Sequence, residues 1–140
     1  MPSIDLLAEP TVMGMEQIVT FPQGKAPAWS AVAGLLASGG FPVQVRMIDG
    51  QLAFPEETPP DDWRELRLGT PQGMVTLRRE AERVVCVTWG NADPALLQAW
   101  NALTWAVAAA GGGEVVTPAG RLDAASFQRG AALPPGLTGS

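Results

Sequence analysis

The chain has 140 residues, the length of one ordinary domain and too short for two independent cores. It is 46% hydrophobic and 16% charged with sixteen Gly and thirteen Pro, which is too apolar for wholesale disorder and too punctuated for a long coiled coil. It has no His, no Tyr and a single Cys, which excludes His-based general bases, Ser-His and Cys-His pairs and the usual zinc ligand sets, and the net charge of −5 sets its field against nucleic acid and anionic membrane.

Residues 1–14 read as an irregular N-terminal arm. Met15 to Phe21 is a strand-like run closed by Pro22. Pro27 suits a first helical turn and Gly39-Gly40 a helix end, so a helix is expected over Pro27 to Ser38, with Trp29, Val32 and Leu36 as its core stripe. Val43, Val45 and Met47 alternate with polar residues up to Asp49-Gly50, whose glycine accepts the positive φ of a type I′ hairpin turn, and Gln51 to Phe54 runs back. Pro55 to Asp62, with three prolines and four carboxylates, is a loop whose spacing supplies no cation cage.

Strands follow at Trp63 to Leu68, Gly73 to Arg79 and Arg83 to Trp89, joined by connections short enough for an antiparallel meander. Asp93-Pro94 is an N-cap followed by proline at the first helical position, which starts a second helix running to about Ala110. Glu114 to Thr117 reads as a short last strand and residues 118–140 as a tail with apolar anchors at Leu122, Phe127 and Leu133. The expectation is a single α+β domain with its core in residues 15–117. It is a two-layer sandwich of a curved antiparallel sheet with two helices on one face, in the order β-α-β(4-5)-α. In order of elements it resembles the TATA-binding-protein-like and helix-grip architectures, and a shared architecture carries no function with it.

No phosphate-binding loop is present, because Gly111 to Gly113 follows a helix instead of opening one. The amides at the start of the second helix, beside Trp89, are a place for a carboxylate or phosphate, although Asp93 competes for them. Cys86 sits in an apolar strand as an inert thiol and leaves the chain without an internal disulfide, which fits a cytoplasmic protein. The start of the chain lacks the basic flank and apolar core of a signal peptide, and the uncharged run Pro94 to Gly113 is too polar to span a membrane.

Alternation places Val43, Val45, Met47, Leu66, Leu68, Val75 and Leu77 under the helices. Arg46, Trp63, Glu65, Arg67 and Arg78 then fall on the open face of the sheet, as candidate ligand-binding residues for an acidic peptide, a carboxylate or single-stranded nucleic acid, the last ranked lowest because of the net charge. Neither helix contains a charged residue, so their outer faces need a cover. Ser30, Gly34, Gln98, Asn101 and Trp105 form a candidate partner interface, the competing cover being the chain's own tail. The function expected is a non-catalytic binding or protein-interaction module, self-associating through its helix layer as a homodimer or assembly subunit. It needs no cofactor or metal and has neither nucleic-acid nor membrane partners. The alternative is a small-molecule or lipid carrier with a pocket between the second helix and the sheet, lined by Met47, Trp89, Trp100 and Leu103. An enzyme using Glu65 as base ranks third.

Overall fold

The computed structural model describes residues 14–22, 26–54, 56–80, 82–89, 93–118 and 120–137. Its elements are β1 (Gly14–Thr20), α1 (Trp29–Ser38), β2 (Gln44–Ile48), β3 (Gln51–Leu52), β4 (Glu65–Thr70), β5 (Gly73–Glu80), β6 (Arg83–Trp89), α2 (Pro94–Gly111), β7 (Glu114–Thr117), β8 (Gly120–Asp123) and α3 (Ala124–Gly130). A single 3-10 turn, Pro135–Leu137, follows α3. Eight strands form one antiparallel sheet in the order β3-β2-β4-β5-β6-β1-β7-β8, so the α+β class holds. The sheet is wider than the sequence pattern suggests, because the segment 118–140 contributes β8 and α3 as well as a tail. Of the N-terminal arm, residues 1–13 lie outside the described residues, and Gly14 already belongs to β1.

Local chemistry accounts for the element ends. The turn between β2 and β3 has positive φ at both Asp49 (52°) and Gly50 (86°), the left-handed pair that a type I′ hairpin requires. At the start of α2 the Asp93 side chain accepts from the Leu96 amide at 2.9 Å, with Pro94 at the first helical position. Asp123 caps α3 in the same way through the Ser126 amide.

Helix α1 buries Trp29, Val32 and Leu36, the expected stripe. Helix α2 is buried nearly all round, including Ala99, Trp100, Ala102, Leu103, Thr104, Ala106, Val107 and Ala108. It lies across the sheet with α1 on one flank and α3 on another, which is why eighteen residues carry no charge. Beneath it Trp100 Nε1 donates to the Cys86 carbonyl at 2.8 Å, and Gln17 of β1 donates to Asn101 Oδ1 and accepts from the Thr104 hydroxyl.

The tail packs against α2 and the end of α1. Phe127, Leu133 and Leu137 are buried in the main core, the Asn101 side-chain amide donates to the Ala132 carbonyl at 2.9 Å, and Gln128 donates to the Leu137 carbonyl. Trp105, one turn beyond Asn101, is half-buried and packs on the same core. The 3-10 turn meets the end of α1 backbone to backbone, since a Cβ on Gly136 would collide with the Gly39 carbonyl oxygen.

Candidate functional site

The face of the sheet opposite the helices is built by the strand register. One cross-strand row runs Val116, Ile18, Val85, Arg78, Glu65. A second, two residues further along the strands, runs Glu16, Val87, Thr76, Arg67, Met47, Leu52. Arg78 reaches across β6 to Glu16, Nη2 to Oε2 at 3.0 Å. Val85 stands outside the helix-side core, with only 2% of its surface accessible, in the row between Ile18 and Arg78.

Beside this strap lies a hollow of about 270 Å³ lined by Glu65, Arg67, Met74, Thr76, Arg78, Val87 and Thr88. Arg67 is exposed and has no ion pair or hydrogen-bonding partner for its guanidinium among the described residues. Arg46 likewise has none, and its side chain lies across Gly69, where a Cβ would stand 2.8 Å from Nε. Two guanidinium groups without a carboxylate, beside Met47, Met74 and Val87, suit a ligand that is apolar along its length and carries carboxylates.

At the far end of the same face is a larger hollow of about 460 Å³, lined by Thr20, Phe21, Pro22, Glu80, Glu82, Arg83, Glu114 and Arg121. Most of its charges are matched internally, Arg83 with Glu80 at 3.0 Å and Arg121 with Glu114 at 3.8 Å.

Of the five residues expected on the open face, Arg46, Glu65, Arg67 and Arg78 are there and Trp63 is not. Strand β4 begins at Glu65, and Trp63 belongs to the preceding turn, its amide bonded to the Pro60 carbonyl at 3.1 Å, so alternation does not extend back to it. The indole is 1% exposed in the core. The Arg79 guanidinium covers the ring at 4.5 Å and donates to the Asp61 carbonyl. Burial draws the Arg79 pKa down, against the carboxylates of Asp62, Asp49 and Asp61.

Met47 is also displaced. The register shifts between Val45 and Met47, and this bulge keeps Val45 in the core, turns Met47 to pair with Arg67 on the open face and sends Ile48 inward. Met47 therefore cannot line a pocket under α2. Trp100 and Leu103 are buried in the core, the side chain of Trp89 lies outside what is described, and neither of the two hollows has a lining residue from α2.

The expected partner interface is split. Ser30 and Gly34 are exposed on α1, whereas Gln98, Asn101 and Trp105 are half-buried, with Asn101 bonded to the tail. On α2 the chain itself thus takes up Asn101, at the centre of the expected surface, and leaves Gln98 and Trp105 half-exposed. For the amides at the start of α2, residues 90–92 lie outside the described residues, and Asp93 occupies the Leu96 amide. Cys86 is buried, and its thiol is pushed up to about 12 by desolvation, so it is no nucleophile.

Sequence alternation alone did not reveal that Leu52 belongs to the open face with Phe54 exposed beside it. Ala53 packs inward and its amide bonds to the Arg46 carbonyl, so its two neighbours point out, 83% and 70% exposed. The Asp49-Gly50 turn was the signal, because it fixes the pairing of Met47 with Leu52. Among the described residues no helix is long and apolar enough to cross a membrane. No protein-family model, no curated protein and no solved structure matches the chain.

Proposed function

We propose that this protein is a non-catalytic interaction module that recognises a protein segment through the face of its sheet opposite the helices. The segment is apolar and carries carboxylates. One observation carries the reading: Arg46 and Arg67 stand without anionic partners on the face that also presents Met74, 39% exposed, and the hollow at Thr76 and Val87. Large apolar side chains left out of a core, beside arginines, are the composition of an interface centre.

The helix layer supports no such reading on α2, where the tail already satisfies Asn101 and buries Leu133 and Leu137. The carrier reading has no comparable support, since Met47 pairs with Arg67 on the opposite face and neither hollow is lined by a residue of α2.

The test is a titration of the labelled protein with a soluble peptide of alternating leucine and glutamate, followed by amide chemical shifts. Shifts confined to β4, β5 and β6 around Arg67, Thr76 and Val87, and abolished by Arg67→Glu, are expected. Shifts centred on α1 or α2, or none at all, would overturn the proposal.

A further inference from the structure

Leu52 and Phe54 are the most exposed large apolar side chains among the described residues; Leu52 leaves the sheet edge on the same side as the arginine hollow, and Phe54 follows two residues on, past the end of β3. Their backbone is held in place. The Phe54 amide donates to Glu57 Oε1 at 3.1 Å and the Glu57 amide donates to the Phe54 carbonyl at 2.9 Å. Glu56, next to them, is exposed and forms no ion pair among the described residues. The edge of the sheet is thus a preformed apolar tip with a carboxylate beside it, which is the chemistry that the hollow at Arg67 is suited to receive.

Resting on the reading of the open face given above, we infer that the segment recognised is the Leu52, Phe54 and Glu56 tip of a second copy of this chain. The two copies pack sheet to sheet as an isologous dimer. Phe54 of each copy enters the hollow beside Thr76 and Met74 of the other, and Glu56 of each meets the unpartnered Arg46 and Arg67. The geometry permits closure, because Leu52 of the tip and the hollow lie on one face. Leu52 is separated from Thr76 by three strand-to-strand steps through Met47 and Arg67, about 14 Å at the usual strand spacing. A two-fold axis passing midway, between Met47 and Arg67, superimposes each tip on the other copy's hollow. Charge complementarity selects this occupant: Arg46 and Arg67 on the open face have no carboxylate partner among the described residues, and the same chain offers Glu56, a carboxylate without a cation, on the only described edge that carries exposed Phe and Leu together.

The test measures solution mass against concentration for the full chain and for variants. The wild type is expected to dimerise with concentration, and Phe54→Glu, Arg67→Glu and Glu56→Arg should each raise the dissociation constant by at least ~30-fold, the scale of an interface hot spot. Mixing Arg67→Glu with Glu56→Arg restores dimers, because each interface then pairs glutamate with arginine twice, while either variant alone sets like charges together. Circular dichroism of the three variants confirms that they are folded.

A wild type that stays monomeric at every concentration overturns the inference, as does a dimer that all three variants leave intact. Binding of the leucine-glutamate peptide to that monomer leaves the open-face reading standing with another protein as partner. A monomer that also ignores the peptide removes both.

Discussion

Asp49 is the residue on which the candidate surface depends most directly. Its positive φ opens the β2–β3 turn, and its carboxylate accepts from the Arg64 amide at 2.7 Å and the Glu65 amide at 2.9 Å, which ties the hairpin to β4. Those backbone donors, Glu65 first, hold the Asp49 pKa below the ordinary carboxylate value. A depressed folded value means that the stabilisation is present above the unfolded pKa and is lost as pH falls through the folded one. Asp49→Asn keeps a residue tolerant of positive φ and removes the charge. It should lower stability at neutral pH by about 0.5–1 kcal/mol, the low end for charge-assisted bonds because the group is solvent-screened. It should also flatten the loss of stability on acidification; urea unfolding at a series of pH values measures both, and identical pH slopes for the two proteins would refute the role. The turn was readable from Asp-Gly alone because its chemistry is local. The facing of Met47 and Trp63 was not, because a bulge and a strand beginning two residues late each break a period-two count without leaving a mark in residue type.

At the scale of elements, the least legible feature was the C-terminal segment. Its strand β8 is exposed along its whole length, so its residues carry no alternating pattern, and α3 has only seven residues, too few for a helical period to stand out. The uncharged surface of α2 announced a cover and left a second protomer and the chain's own tail as the alternatives; α2 packs against the sheet, α1 and the chain's own end. That end is latched where Gly136 and Gly39 approach too closely for any side chain. Gly136→Ala therefore forces the 3-10 turn off the end of α1 and disturbs Leu137, at a cost of about 1–3 kcal/mol, the usual range for overpacking. Thermal unfolding reads the loss, and faster hydrogen exchange across α3 and the second half of α2 than across β4 and β5 locates it. Uniform exchange changes, or wild-type stability, would show that the contact relaxes without undocking the tail.

Over the whole molecule, the two faces of the sheet have opposite requirements, and a pair of tryptophan and phenylalanine substitutions separates them. On the helix side α2 is covered: the tail satisfies Asn101 and the half-buried Trp105 belongs to the fold's own packing. A carboxylate introduced there meets no cation on α1 or α2, since neither contains a charged residue. Trp105→Glu is accordingly expected to destabilise the chain by roughly 2–3 kcal/mol, less than for a fully buried indole, and to leave the mass of the folded fraction unchanged. Phe54→Glu should do the reverse. At 70% exposure the ring contributes little to the monomer, so stability stays within about 0.5 kcal/mol while association is lost. Denaturant titration and light scattering on the same two samples give the four values required. If Trp105→Glu instead yields a stable folded monomer from a dimeric wild type, the association surface is the helix layer and the tail must release α2 to expose it. The hydrogen bond from Asn101 to Ala132 and the burial of Leu133 and Leu137 oppose that release, because opening the layer would strip the core of two leucines before any contact with a partner replaced them.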